Sequence, residues 1–197
     1  MKSFKQYFFE AINGPKVIMI GGPGSGKSTY SEIIKKKLGI AHIYTGDMMR
    51  ELAKQNTPDG RKVKELLDKG EFAPTPIVIN AVQERLKKPD AMKGYVFDGF
   101  PRNVEQAKAM EDKNIEFDHV IYLDVSEEEV VKRLTARGRA DDKPDIIKNR
   151  LKVFKRETAP LLDYYKNEII NIKAEGGKPE EIAQTIIDKV KWKVITK

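Results

Sequence analysis

The stretch Gly21-Gly22-Pro23-Gly24-Ser25-Gly26-Lys27-Ser28-Thr29 restricts the fold of this chain more than any other. Before it stands the apolar run Val17-Ile18-Met19-Ile20, which predicts a buried strand. After it, Tyr30 to Leu38 predicts a helix with Ile33, Ile34 and Leu38 on one side. A glycine-rich turn between strand and helix, ending in Gly26-Lys27-Ser28, fits the phosphate-loop spacing in the context that this motif requires. The residue types have a chemical reason. Phosphate oxygens need several N–H donors converging on one point, and glycine lets the backbone curl closely enough to supply them. The helix that follows aims the positive end of its dipole at the same anion. Lys27 adds a mobile charge for the outer phosphates, and Ser28 offers a hydroxyl to Mg²⁺. A plain glycine-rich surface turn leaves the Lys-Ser pair and both flanks unexplained.

Short apolar runs alternate with helical patterns along the rest of the chain. The runs Ala41–Tyr44, Tyr95–Phe97, Val120–Val125 and Ile169–Ile172 add four strands to the first. Helices are predicted over Met48–Lys54, Val63–Lys69 (closed by Gly70), Ile77–Leu86 and Val104–Met110. Ser126 with Glu129 predicts a capping box opening a helix to Thr135. A long amphipathic helix is expected over Asp145–Thr158, interrupted near Pro160 and followed by Leu161–Tyr165. Pro179–Val190 closes the series. Five strands separated by helices predict an α/β fold with a doubly wound parallel sheet, whose ligands sit outside the carboxyl ends of the strands. Three polar clusters fall at those ends: the phosphate loop, Thr45-Gly46-Asp47, and Asp98-Gly99-Phe100-Pro101-Arg102.

At 197 residues the chain suits one domain with inserts, without repeats or linkers. Charged residues make up 34% and hydrophobic ones 40%, the balance of a soluble globular protein. No apolar run approaches a membrane span. Cysteine is absent, which removes disulfides and cysteine-zinc sites and favours the cytoplasm. Met1–Asn13 has Phe4, Phe8, Ala11 and Ile12 at helical spacing, and Glu10 argues against a secretory signal. It reads as a short amphipathic helix. The net charge of +7 suits polyanions, but the lysines are spread as solvated helix faces and no aromatic-basic RNA motif is present, which disfavours nucleic acid as a partner.

Asp98 ends its strand where a phosphate-loop protein holds Mg²⁺ or its water; a carboxylate capping a turn is the simpler alternative. Arg102, Arg133, Arg137, Arg139 and Arg150 follow. Guanidinium groups match phosphate oxygens in pairs and keep their charge. The acids of Arg139-Ala140-Asp141-Asp142 could hold such arginines in place. Taken alone, these arginines divide evenly between surface solubility and phosphoryl binding.

Together these motifs resemble the adenylate kinase family. The resemblance rests on the phosphate loop, Tyr44-Thr45-Gly46-Asp47-Met48-Met49-Arg50, Asp98-Gly99-Phe100-Pro101-Arg102 with Gln106, and Gly138-Arg139-Ala140-Asp141-Asp142 with Arg150. It runs from Lys16 over nearly the whole remaining chain. The second and third of these motifs are specific to nucleoside monophosphate kinases. The resemblance implies a single phosphate-loop NTPase domain over 1–197, with an extension at 1–15, a helical AMP-binding insert at 44–73 and a vestigial lid loop at 137–140. It implies reversible transfer of the γ-phosphoryl of Mg-ATP to AMP, giving two ADP, by a monomer without zinc. Gly24, Ser25, Gly26, Lys27, Ser28 and Thr29 would wrap the ATP phosphates. Arg133 and the backbone at Lys178 would contact the ATP adenine. Thr45, Arg50, the backbone at Glu71, Phe72 and Ala73, Gly99, Phe100, Pro101, Arg102 and Gln106 would hold AMP, with a cis Phe100-Pro101 bond. Lys27, Arg102, Arg137, Arg139 and Arg150 would surround the transferring phosphoryl, with Arg139 and Arg150 also reaching AMP. Ser28 and Asp98 would hold Mg²⁺, largely through water. An amide at Gln106 can read an adenine edge. Pyrimidine-specific relatives differ there and at Thr45, so AMP is expected over UMP or CMP; dAMP and a non-catalytic nucleotide- or RNA-binding role are the other readings. His42 and His119 are read as ordinary strand-adjacent residues. Three departures stand out: Ser28 where the family usually has Gly, Ala73-Pro74-Thr75 for Val-Pro-Asp, and a lid reduced to Arg137-Gly138-Arg139.

Overall fold

The computed structural model describes residues 14–138 and 143–190. The expected N-terminal helix and Arg139 to Asp142 lie outside the described residues. Strand β1 (Lys16–Gly21) leads through the glycine-rich loop into α1 (Lys27–Leu38), and β2 (Ala41–Tyr44) runs into α2 (Thr45–Ala53), α3 (Pro58–Asp68) and α4 (Thr75–Leu86). A 3₁₀ turn at Pro89–Lys93 precedes β3 (Tyr95–Asp98) and α5 (Val104–Asp112). Then come β4 (His119–Asp124), α6 (Glu127–Arg137), α7 (Pro144–Val153), α8 (Pro160–Tyr164), β5 (Ile169–Lys173) and α9 (Pro179–Lys189).

The strands form one five-stranded sheet in the order β2-β3-β1-β4-β5, every pairing parallel. Strand β1 pairs Met19 with Asp98 on one side and with Ile121 on the other, so it is central and buried on both faces. Alternate residues feed two cores. Ile18, Ile20, Ile43 and Phe97 point into one, and Val17, Met19, Val96, Ile121 and Leu123 into the other. Each fully buried side chain of this size contributes about 1.5–3 kcal/mol over leaving it in water. That is why these strands read as unbroken apolar runs.

Several boundaries differ from the sequence reading. Helix α3 begins at Pro58, five residues before the expected Val63, because Thr57 caps it: its hydroxyl accepts from Gly60 N at 3.0 Å. Gly60 sits inside this helix because a Cβ there would lie 2.7 Å from the Leu52 carbonyl oxygen. The capping box at Ser126 is half formed. Ser126 Oγ accepts from Glu129 N at 3.4 Å, but Ser126 N donates to Glu175 and the Glu129 carboxylate turns to Arg133 at 2.7 Å. The long helix expected over Asp145–Thr158 is α7 followed by a π turn at Phe154–Thr158. Pro160 has no N–H to continue an α register, and Ala159 N reaches back to Phe154 O at 2.9 Å instead.

Candidate active site

The carboxyl ends of β1, β2 and β3 open into a cleft of about 1370 Å³, above the range of an ordinary single-ligand pocket. Two of its walls come from β1 and β3, at the place where the chain turns from one edge of the sheet to the other.

At its base the glycine-rich loop curls tightly. Gly24 and Gly26 take φ of 78° and 96°, values in the left-handed region. At Gly26 a Cβ would also meet the Tyr30 ring at 2.6 Å. Lys27 Nζ donates to the carbonyls of Gly21 at 2.6 Å and Gly22 at 2.8 Å, which fixes the ammonium over the loop. Burial lowers its pKa to about 8, with Asp98 opposing and Arg102, Arg150 and Arg137 adding to the fall. Arg102 and Arg150, and Arg137 at the end of α6, thus all act on the same ammonium.

Asp98 is buried at the end of β3. Burial opposes its ionisation, but a hydrogen bond from His42, the Lys27 charge and a hydrogen bond from Ser28 together hold the carboxyl below its usual range. Among the described residues, one carboxylate oxygen, Oδ1, has no hydrogen-bond partner. A buried carboxylate oxygen of this kind beside a hydroxyl fits a hydrated divalent cation, so Ser28 and Asp98 are suited to Mg²⁺. Among the described residues no cluster of three or more His, Cys, Asp or Glu could hold a metal alone. His42 is more than a strand residue. Its Nε2 lies 3.1 Å from Asp98 Oδ2 and its Nδ1 3.3 Å from Glu32 Oε2, so the ring bridges two carboxylates behind the loop.

The far wall carries the second cluster. Thr45 Oγ1 donates to Gly99 O at 2.6 Å, tying the end of β2 to the loop after β3. Gly99 is at φ 77°, and the Phe100-Pro101 bond is cis. The Phe100 side chain is fully buried against Phe97, with ring centroids 5.2 Å apart, and Phe100, unlike Gly99 and Pro101, does not line the cleft. Arg102 is held on several sides. Its Nε donates to Gly99 O at 2.9 Å, its N donates to Gln106 Oε1 at 2.8 Å, and its guanidinium lies 5.1 Å over the Phe72 ring. Thr158 Oγ1, from the π turn, donates to its carbonyl at 2.7 Å. Phe72 and Ala73 line the cleft, as does Glu71, whose carboxylate pairs with Arg156 at 3.1 Å. Arg150 lines it from α7, its Cγ 3.1 Å from where a Cβ on Gly70 would stand.

Arg133 reaches the cleft from α6, clamped by Glu129 Oε1 at 2.7 Å and by the Ala174 carbonyl at 2.9 Å. Burial raises the pKa of the neighbouring Tyr30, and the Arg133 charge opposes that rise. Thr29 lines the cleft mouth, while Ser25 is buried beneath the loop. Gly177 and Pro179 border the cleft on either side of Lys178, whose own side chain does not. The structure therefore brings together the phosphate loop, the Thr45 turn, the Asp98–Arg102 segment and Arg133, Arg137 and Arg150, from elements as much as 129 residues apart (21 to 150). Sequence reading missed Glu129 as a support of Arg133 and Thr158 as a support of Arg102. Thr158 lies 56 residues from Arg102, so no local signal joins them.

The adenylate kinase family model matches residues 19–170. The chain is 41% identical over 175 residues to an adenylate kinase of Mycolicibacterium smegmatis, covering 87% of this chain and 97% of that one. It is 44% identical over 174 residues to an adenylate kinase of Mycobacteroides abscessus, covering 86% and 96%. It is 43% identical over 175 residues to that of Corynebacterium diphtheriae, covering 87% and 97%. With fold, cleft and motifs in agreement with these matches, the chain belongs to the adenylate kinase family.

Proposed function

We propose that this enzyme transfers the γ-phosphoryl of ATP to AMP, reversibly, giving two ADP. The observation that carries the reading is that Lys27, Asp98, Arg102, Arg137 and Arg150 line one cleft, with the three arginines lowering the pKa of the Lys27 ammonium. Positive groups gathered along one cleft suit an anion there, and a phosphoryl group in flight is one. In this reading the loop from Gly24 to Thr29 holds the ATP phosphates and Arg133 with the Lys178 backbone borders the ATP base. Thr45, Arg50, Gly99, Pro101, Arg102 and Gln106 hold AMP beside the backbone of Glu71, Phe72 and Ala73. Arg139, outside the described residues, keeps its expected part in the arginine cluster.

The chemistry asks for positioning and charge stabilisation rather than a nucleophile or general base. Lys27 and the three described arginines neutralise charge on the equatorial oxygens. Phe72 and Thr158 keep Arg102 in register, and Ser28 and Asp98 would hold Mg²⁺, which when bound neutralises phosphate charge. Gln106 supports an adenine acceptor. Its oxygen is committed to Arg102 N at 2.8 Å, leaving the amide nitrogen to donate. A donor there suits a ring nitrogen that accepts, as in adenine or cytosine, and opposes uracil and guanine, whose nitrogen at that edge carries hydrogen. The insert at 44–73 closes over AMP in this reading, and the loop at 137–140 is a minimal lid. The protein works as a monomer in the cytoplasm; no described helix is long and apolar enough to cross a membrane.

The test is to mix purified protein with Mg-ATP and each of AMP, dAMP, CMP and UMP and to measure the diphosphates formed. ADP from AMP at the highest kcat/KM is expected. Turnover of a pyrimidine monophosphate at an equal or higher value would overturn the acceptor assignment, and no turnover with any of them would leave a binding protein.

A further inference from the structure

Tyr44, outside the set of residues that sequence reading assigned to the site, ends β2 and stands at the N-terminus of α2. Its ring is held from two sides. It stacks on His42 with centroids 6.0 Å apart and planes 12° from parallel. On the other side it lies so close to Gly46 that a Cβ there would be 2.6 Å from a ring carbon and 2.9 Å from the hydroxyl oxygen. Tyr44 lines the cleft.

Arg50, six residues on, meets that ring. Its guanidinium carbon lies 5.1 Å over the ring centroid. Its Nη2 also donates to Asp47 Oδ1 at 2.5 Å. Arg50 is 37% exposed, and an arginine so exposed ordinarily samples many rotamers and loses that freedom when a ligand binds. Here ring face and carboxylate select one rotamer beforehand.

We propose that Tyr44 is a positioning residue for the acceptor nucleotide: it holds Arg50 ready in the cleft for the phosphate of the monophosphate. The inference rests on the reading of Arg50 as an AMP-binding residue. A guanidinium fixed in one orientation meets phosphate oxygens in pairs without further ordering. Tyr44 and Arg50 stand on β2 and α2, whereas Arg133 beside the phosphate loop stands on α6.

The experiment is a binding cycle by titration calorimetry, with AMP and ATP titrated separately into wild type, Tyr44→Phe, Tyr44→Leu, Arg50→Ala and the double variant Tyr44→Leu/Arg50→Ala. Tyr44→Leu removes the ring face under Arg50 and is expected to raise the Kd for AMP about two- to fivefold, as the loss of one exposed cation–π contact does. Tyr44→Phe keeps the ring and is expected to bind AMP as the wild type does. The Kd for ATP is expected to stay put, and the double variant to bind AMP no more weakly than Arg50→Ala alone. Unchanged AMP affinity in Tyr44→Leu, a loss in Tyr44→Phe as large as in Tyr44→Leu, additivity with Arg50→Ala, or equal weakening of AMP and ATP each overturns the proposal. In those cases a weak Arg50→Ala keeps the acceptor-site reading; if Arg50→Ala itself binds AMP normally, that reading fails as well.

Discussion

Thr158→Val asks whether the π turn after α7 is there to hold Arg102. The substitution is nearly isosteric, so it leaves no cavity; what it removes is the hydroxyl that donates to Arg102 O at 2.7 Å. Thr158 is only 6% exposed, and the carbonyl it serves loses its donor. An unsatisfied group of this kind costs about 1–3 kcal/mol. For a chain of this size that corresponds to a fall in melting temperature of roughly 2–12 °C. The functional effect follows from the same bond. Arg102 keeps its contacts to Gly99 O, Gln106 and Phe72, so the guanidinium shifts rather than leaves. A shift on the ångström scale costs up to about 10²-fold in turnover. The assay is a coupled ADP-formation measurement beside differential scanning calorimetry. Thr158→Ser is the control: it restores the hydroxyl while losing the methyl, so it should keep near-wild-type turnover despite poorer packing. If Thr158→Val melts with the wild type and turns over at its rate, or if Ser is the worse of the two, the hydrogen bond is not what positions Arg102.

Other outcomes follow from the same cleft. Lys27→Met and Arg102→Ala should each cut kcat by about 10²-fold or more while circular dichroism stays native; near-wild-type rates in either remove that residue from the mechanism. Lys27 also sets a pH dependence. Its pKa is lowered to about 8 by burial, so in the empty cleft it is charged below pH 8 and loses its proton as pH rises through that value. Phosphates favour the charged form, so ATP affinity measured calorimetrically should hold from pH 6.5 to 7.5 and fall above 8, by up to about tenfold per pH unit. Equal affinity at pH 7 and 9 refutes this. The short segment after Arg137 leaves little to cover ATP, so ATP hydrolysis without AMP should exceed that of a long-lid relative assayed alongside; no excess counts against a loop-sized lid.

What the sequence determined was whatever neighbouring residues can specify among themselves. The loop from Gly21 to Thr29 was legible because its φ values, the converging N–H groups and the helix that opens at Lys27 depend on residues a few positions apart. The parallel sheet was legible because strands buried on both faces leave unbroken apolar runs, and Val17–Ile20 is one. The start of α3 was written in Thr57 and Pro58 but obscured by Gly60, which reads as a breaker until the approach of Leu52 is known. Tertiary structure alone decided which arginines face Lys27, since their separations in space do not follow from their separations along the chain. It also decided that His42 bridges Glu32 and Asp98, that Thr158 reaches Arg102 across 56 residues, and that the Tyr44 ring carries Arg50. A sequence states which charges are available; only the order β2-β3-β1-β4-β5, which gathers distant strand ends into one cleft, brings like charges close enough to act on the same ammonium.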